Sequence, residues 1–146
     1  MTDRYNLLGA MVGISIICLC ILIFIFRLAG LKSVESWLGI LVILAGIPLV
    51  YLLLTAPRLD RPAIYYIQIG LMLLYLVIEL LLDYLFKIDF RHTRWMTVSY
   101  VTLFFAATGG MIGVISLAGK TWTVLAVALF LVMAFLAIYQ RAKTGL

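Results

Sequence analysis

Apolar and polar positions along this chain come in long apolar blocks separated by short polar breaks. The blocks are residues 7–26, 34–54, 63–86, 95–118 and 121–139. Arg27 closes the first, Trp37 lies near the start of the second, and Tyr65 and Tyr66 open the third. Trp95 and Trp122 open the last two, and Tyr139, Gln140 and Arg141 close the chain of blocks. Each block approaches or exceeds the about 20 apolar residues that cross a bilayer as a helix.

The last two blocks are interrupted only by Gly119 and Lys120. As one helix, residues 95–139 would be about 67 Å long, twice the hydrocarbon thickness. The chain must therefore fold back, and Ala118-Gly119-Lys120-Thr121 is the expected hairpin. Five spans result. All are expected to be helical, because an open sheet leaves backbone groups unsatisfied in hydrocarbon. Pro48 lies inside the second block and predicts a kink, since proline removes a donor and clashes with the preceding turn. No internal repeat is visible. The first block is too long for a signal-peptide core, and no small-residue cleavage site follows it, so it is expected to be a permanent span.

Composition agrees. Of the 146 residues, 66% are hydrophobic and 12% charged, and mean hydropathy is +1.24. Soluble domains average about 45–50% apolar and about 25% charged, and a small fold cannot bury that excess. A soluble enzyme, a disulfide scaffold and a disordered linker are excluded. The expected fold is an all-α integral membrane protein: five transmembrane helices in a compact bundle, one domain, no soluble domain.

Net charge is +5. It is read as basic loops at an anionic lipid face, with the lipid bilayer as partner and no nucleic acid. Arg4, Arg58, Arg61 and Lys120 fall on one side, and Arg27, Lys32, Lys87, Arg91, Arg94, Arg141 and Lys143 on the other. The positive-inside rule then puts the amino end outside and the carboxyl end in the cytoplasm of a cell or inner membrane. Cys18 and Cys20 are two positions apart and point about 200° apart on a helix, so they form no CxxC site.

The third block carries the chemistry. At about 100° per residue, Arg61, Tyr65, Gln68, Met72, Tyr75, Glu79 and Asp83 fall in one stripe about 60° wide. A polar stripe on a lipid-embedded helix must face protein or water. Asp83 lies about 5 Å inside the block end, within reach of the interface and of Lys87 at i+4. Glu79 lies about 10 Å in. Two carboxylates one turn apart repel, so Glu79 is expected to be protonated part of the time or paired with a cation. That suits an ion, proton or ligand site formed by Glu79, Asp83, Gln68 and Tyr75. The alternative is a structural bond from Glu79 to a neighbouring helix through Tyr100 or Ser99.

In the fourth block Thr102, Ala106, Gly109, Gly113 and Ser116 share one side, expected to be the packing face. Gly109-x-x-x-Gly113, like Gly9-x-x-x-Gly13 in the first block, is a small-xxx-small contact serving intrachain packing or a homo-oligomer seam. The loop bearing Lys87, Arg91 and Arg94 can hold a lipid headgroup phosphate or simply fix topology. His92 is the only histidine and makes no metal site alone. No cofactor is expected. No HExxH, GxxxxGK[ST] or GxSxG motif occurs, which argues against an enzyme. Three readings follow. The first is proton- or cation-linked transport centred on Glu79. The second is a membrane binding or structural subunit holding a lipid, an apolar ligand or a partner protein. The third is a lipid-modifying enzyme using Glu79 or Asp83 as acid or base.

Overall fold

The computed structural model describes residues 2–85 and 93–144, with the side chains of Thr2, Asp3, Asp83 and Thr144 outside that description. It contains α1 (Thr2–Leu28), α2 (Lys32–Leu44), α3 (Gly46–Thr55), α4 (Ala63–Glu79), α5 (Arg94–Ser116) and α6 (Lys120–Thr144). A 3-10 turn, Ala56–Leu59, follows α3, and π-type turns over Leu80–Leu85 extend α4. With α2 and α3 taken as one bent helix, five helices are long and apolar enough to cross a membrane. No strand occurs among the described residues.

The bend in the second span is where proline chemistry puts it. Pro48 has no N–H to offer the Leu44 carbonyl, and its ring crowds that same carbonyl. Leu44 is the last residue of α2, and Ala45 is a turn residue between the two helices.

Two tight connections set the antiparallel neighbours. After α1, Gly30 adopts φ +77°. The Leu31 N–H bonds the Phe26 carbonyl at 3.0 Å and the Gly30 N–H bonds the Arg27 carbonyl at 3.2 Å. This is a Schellman stop, and the left-handed residue needs no Cβ. Between α5 and α6 the turn runs over Leu117–Gly119, with Gly119 at φ +136°. The hairpin thus sits about one residue earlier than the expected Ala118 to Thr121.

α1 is the central helix. It packs against α2, α5 and α6, while α4 packs mainly on α5. Ile16, Ile17, Leu49, Ile69, Met72, Met111 and Met133 are fully buried and fill the middle of the bundle. α6 is the least buried span, and Leu131, Phe135 and Ile138 leave its outer face apolar.

The glycines are used unequally. A Cβ at Gly13 would lie 2.7 Å from both Cγ1 and Cδ1 of Ile115, and one at Gly9 would lie 3.1 Å from Val114 Cγ1. These two glycines therefore seat α1 against α5 within the chain. A Cβ at Gly113 would collide with the Gln68 carboxamide, whereas Gly109 has nothing within 4 Å. The small-residue side of α5 is not its main packing face: Thr102, Ala106 and Ser116 are exposed. Thr97, Phe104, Ala107, Thr108, Met111, Val114 and Ile115 are buried instead. Large side chains gain more dispersion and apolar burial from the interior than small ones do.

Candidate functional site

The ends of α1, α4 and α6 and the start of α5 meet at one end of the bundle. There they line a partly open cavity of about 130 Å³. Its polar lining includes Glu79 and Tyr75 from α4, Tyr100 from α5, Arg27 from α1, and Gln140 and Arg141 from α6. Phe24, Phe104 and Phe105 supply apolar wall. Toward the bundle centre Ile16, Ile17, Met72 and Met111 are completely buried. The cavity is a blind pocket, not a pore through one chain.

Glu79 is the last α-helical residue of α4 and is partly buried. The Tyr100 hydroxyl donates to its Oε2. The Tyr75 and Tyr100 hydroxyl oxygens are 3.2 Å apart. A phenol has one proton to donate, so with Tyr100 serving Glu79, Tyr75 is the donor to Tyr100. If Glu79 takes up a proton, both bonds can reverse, with Glu79 donating to Tyr100 and Tyr100 to Tyr75. The three groups form a short hydrogen-bonded chain whose polarity follows the charge on Glu79.

Two arginines, Arg27 and Arg141, line the pocket, and Arg27 is paired with a carboxylate. Arg27 Nη2 lies 2.6 Å from Glu35 Oε1, with the side chains 14% and 23% exposed. Arg27 Nε donates to the same oxygen at 2.7 Å, and Nη1 donates to Gln140 Oε1 at 3.3 Å. Gln140 is only 2% exposed, so the guanidinium serves a buried amide that lipid could not satisfy. Local sequence makes this pair. Arg27 sits in the last turn of α1 and Glu35 in the first turn of α2, where each charge complements its helix dipole. The Gly30 turn brings the two ends together.

The structure divides the stripe predicted on the third span. Tyr75 and Glu79 line the pocket. Gln68 lies nearly two turns away toward the other end, packed on Gly110 and Gly113 of α5. Arg61 bonds Asn6 Oδ1 at 2.5 Å and lies 4.9 Å from the Tyr65 ring centroid, at the far end of the bundle. The stripe does face protein: Tyr65, Met72 and Tyr75 are buried. It is nevertheless a packing seam with a site at one end, not one continuous site.

Over Leu80–Leu85 the backbone leaves α-helical geometry. Bonding to i+5 changes the rotation per residue, so the 100° rule that aligned Asp83 with Glu79 does not extend there. The Asp83 side chain lies outside the described residues, as do Lys87 and Arg91. Arg94 is exposed at the start of α5. The π-type turns also carry Tyr84 to α2, where its hydroxyl donates to the Ser36 carbonyl at 2.9 Å and covers Gly39.

The chain matches no protein-family model, no characterised protein and no solved structure. Its site must therefore be read from its own residues. Sequence reasoning used Arg27 and Arg141 only as block ends and orienting charges, used Gln140 only as a block end, and passed over Glu35. One signal could have found them. In an antiparallel bundle the ends of the first, third and fifth spans and the starts of the second and fourth share one membrane side. Arg27, Glu35, Glu79, Tyr100 and Gln140 all fall there. Among the described residues, no group of three or more His, Cys, Asp or Glu could hold a metal.

Proposed function

We propose that this chain is a small membrane transporter whose pocket exchanges a proton or a cation at Glu79. The observation that carries the reading is the Glu79 carboxyl, which lines a partly open cavity while bonded to a reversible tyrosine pair. A carboxyl at membrane depth is costly to keep charged, and a pocket of this size holds several waters. Because the pocket is blind at the bundle centre, transport calls for alternating access, not a continuous pore. The proposed orientation places the pocket end in the cytoplasm, where Arg27, Lys32, Arg94, Arg141 and Lys143 lie, with the amino end outside. The outward Gly109 face of α5 offers a close approach for a second copy.

Reconstitution into proteoliposomes with an imposed pH gradient tests the reading. Glu79-dependent proton flux is expected, with Glu79→Gln abolishing it. Wild-type flux no greater than that of empty liposomes, or flux unchanged by Glu79→Gln, sinks the proposal. A second reading is favoured by the same Tyr100 contact, since it ties α4 to α5: Glu79 then serves only to hold a binding or structural subunit together. Glu79→Gln would in that case lower the melting temperature in detergent and leave no transport to lose.

A further inference from the structure

We propose that Arg61 and Asn6 hold the phosphate of a membrane phospholipid at the end of the bundle opposite the pocket. The assignment does not depend on how the pocket is read. Local structure fixes the arginine. Asp60 takes the left-handed conformation, with φ 51°. Its N–H bonds the Pro57 carbonyl at 3.4 Å, and the Arg61 N–H bonds the Ala56 carbonyl at 3.3 Å. This pair of bonds is a Schellman stop. Pro62 follows at once and restricts the Arg61 backbone further.

The Arg61 side chain is partly buried and short of acceptors. Nη2 donates to Asn6 Oδ1 at 2.5 Å. The Tyr65 ring, itself 2% exposed, covers the guanidinium with its centroid 4.9 Å from Cζ. Nε is buried and has no acceptor. Among the described residues no carboxylate pairs with the group. A guanidinium carries five N–H donors and a permanent charge, and shielding a charge from water is costly unless an anion meets it. Asn6 is neutral, so nothing described in the chain meets this charge. Arg27, partly buried at the opposite end, has Glu35 for that purpose. Arg4, Arg58 and Lys120, the other basic side chains at the Arg61 end, are exposed.

Two donors remain open. By turning Oδ1 to Arg61, Asn6 leaves its amide NH2 beside the guanidinium. Among the described residues neither Asn6 Nδ2 nor Arg61 Nη1 has a partner, and neither atom is sealed inside the fold. A phosphate offers several acceptor oxygens to such a guanidinium–amide pair. Position selects the source. Asn6 immediately precedes the first apolar block, and Arg61 lies two residues before the third. The pair therefore stands at the edge of the hydrocarbon, next to the headgroup layer. Tyr5 and Tyr51 stack at the same end, with centroids 6.1 Å apart, as interfacial rings do. Exposed Leu7 and Ile64, the adjoining apolar residues of α1 and α4, leave surface for acyl chains.

Native mass spectrometry of the purified full chain in maltoside, with lipid added, counts bound lipids by mass. Phosphatidylglycerol is expected to bind about tenfold tighter than a glucosyl diacylglycerol of the same acyl chains, which lacks phosphate. Arg61→Gln should weaken phosphatidylglycerol about tenfold and leave the glucolipid unchanged. Lys120→Gln, at the same end of the bundle, should change neither. Asn6→Asp keeps the shape and supplies the missing carboxylate from within. It should lower phosphatidylglycerol binding about tenfold while the melting temperature holds or rises, so the test survives if Arg61→Gln fails to fold. Equal binding of the two wild-type lipids overturns the proposal. So does unchanged phosphatidylglycerol binding in Asn6→Asp, or a loss in Lys120→Gln as large as in Arg61→Gln. Displacement of the lipid by millimolar inorganic phosphate would identify the free ion as ligand and overturn the lipid assignment; retention of the lipid supports it.

Discussion

Gly13→Ala tests whether the α1–α5 seam is as tight as the geometry states. The new methyl would stand 2.7 Å from two carbons of Ile115 and 3.2 Å from Met111 Cε. Ordinary carbon contacts lie at about 3.5–4.0 Å, so Ile115 must retreat by about 1 Å. It has little room, being 0% exposed, as is Met111. Overpacking of this kind costs about 1–3 kcal/mol. Against it stands the helix-propensity gain of alanine over glycine, about 1 kcal/mol at most. That gain shrinks where the denatured state keeps helix, as it does in dodecyl sulfate. A net loss of about 1–2 kcal/mol is expected from the difference of these two terms. Gly109→Ala is the control, because nothing lies within 4 Å of its added Cβ. It should be neutral or stabilise by up to about 1 kcal/mol. Dodecyl sulfate titration of the purified protein, followed by tryptophan fluorescence, measures both. Ile115→Val removes the Cδ1 that the methyl meets, so the double variant Gly13→Ala/Ile115→Val should lose less than the sum of the singles. Equal midpoints for Gly13→Ala and Gly109→Ala would refute the packing argument.

Other outcomes follow from the same contacts. Arg27→Ala removes the ion pair to Glu35 and one hydrogen bond to the buried Gln140 amide and should cost about 1–3 kcal/mol, the pair being only partly shielded from solvent. Glu35→Gln, which keeps the shape, should cost less, and the same titration ranks them. Tyr100→Phe removes the donor to Glu79; it should lower stability by about 1–3 kcal/mol and slow Glu79-dependent proton flux. Gly39→Ala should destabilise by displacing the Tyr84 hydroxyl, and adding Tyr84→Phe should recover part of that loss, as read from melting in detergent.

Much of the fold was legible because its causes are local. Block length against bilayer thickness, the impossibility of a 67 Å span (about 1.5 Å per residue) and the left-handed freedom of Gly30 and Gly119 are properties of short segments. Pro48 marked the bend for the same reason, since its effect reaches only to the Leu44 carbonyl. The site was legible in part. Glu79 and Tyr75 stood out as polar groups on an apolar helix, and Tyr100 was a foreseeable partner.

The sequence by itself determined that the chain is a bundle of five membrane-length helices with a carboxyl at depth on the third. Only the tertiary structure decided which faces meet. Helical periodicity assigns residues to faces, but the rotation of each helix against its neighbours depends on side-chain volume across the seam. That is why Gly13 is packed under Ile115 while Gly109 faces open space, and why Gln68, on the same stripe as Glu79, is spent on packing against Gly113 and not on the pocket. It is also why Arg27, Glu35 and Gln140, up to 113 positions apart, close around the pocket that Glu79 lines.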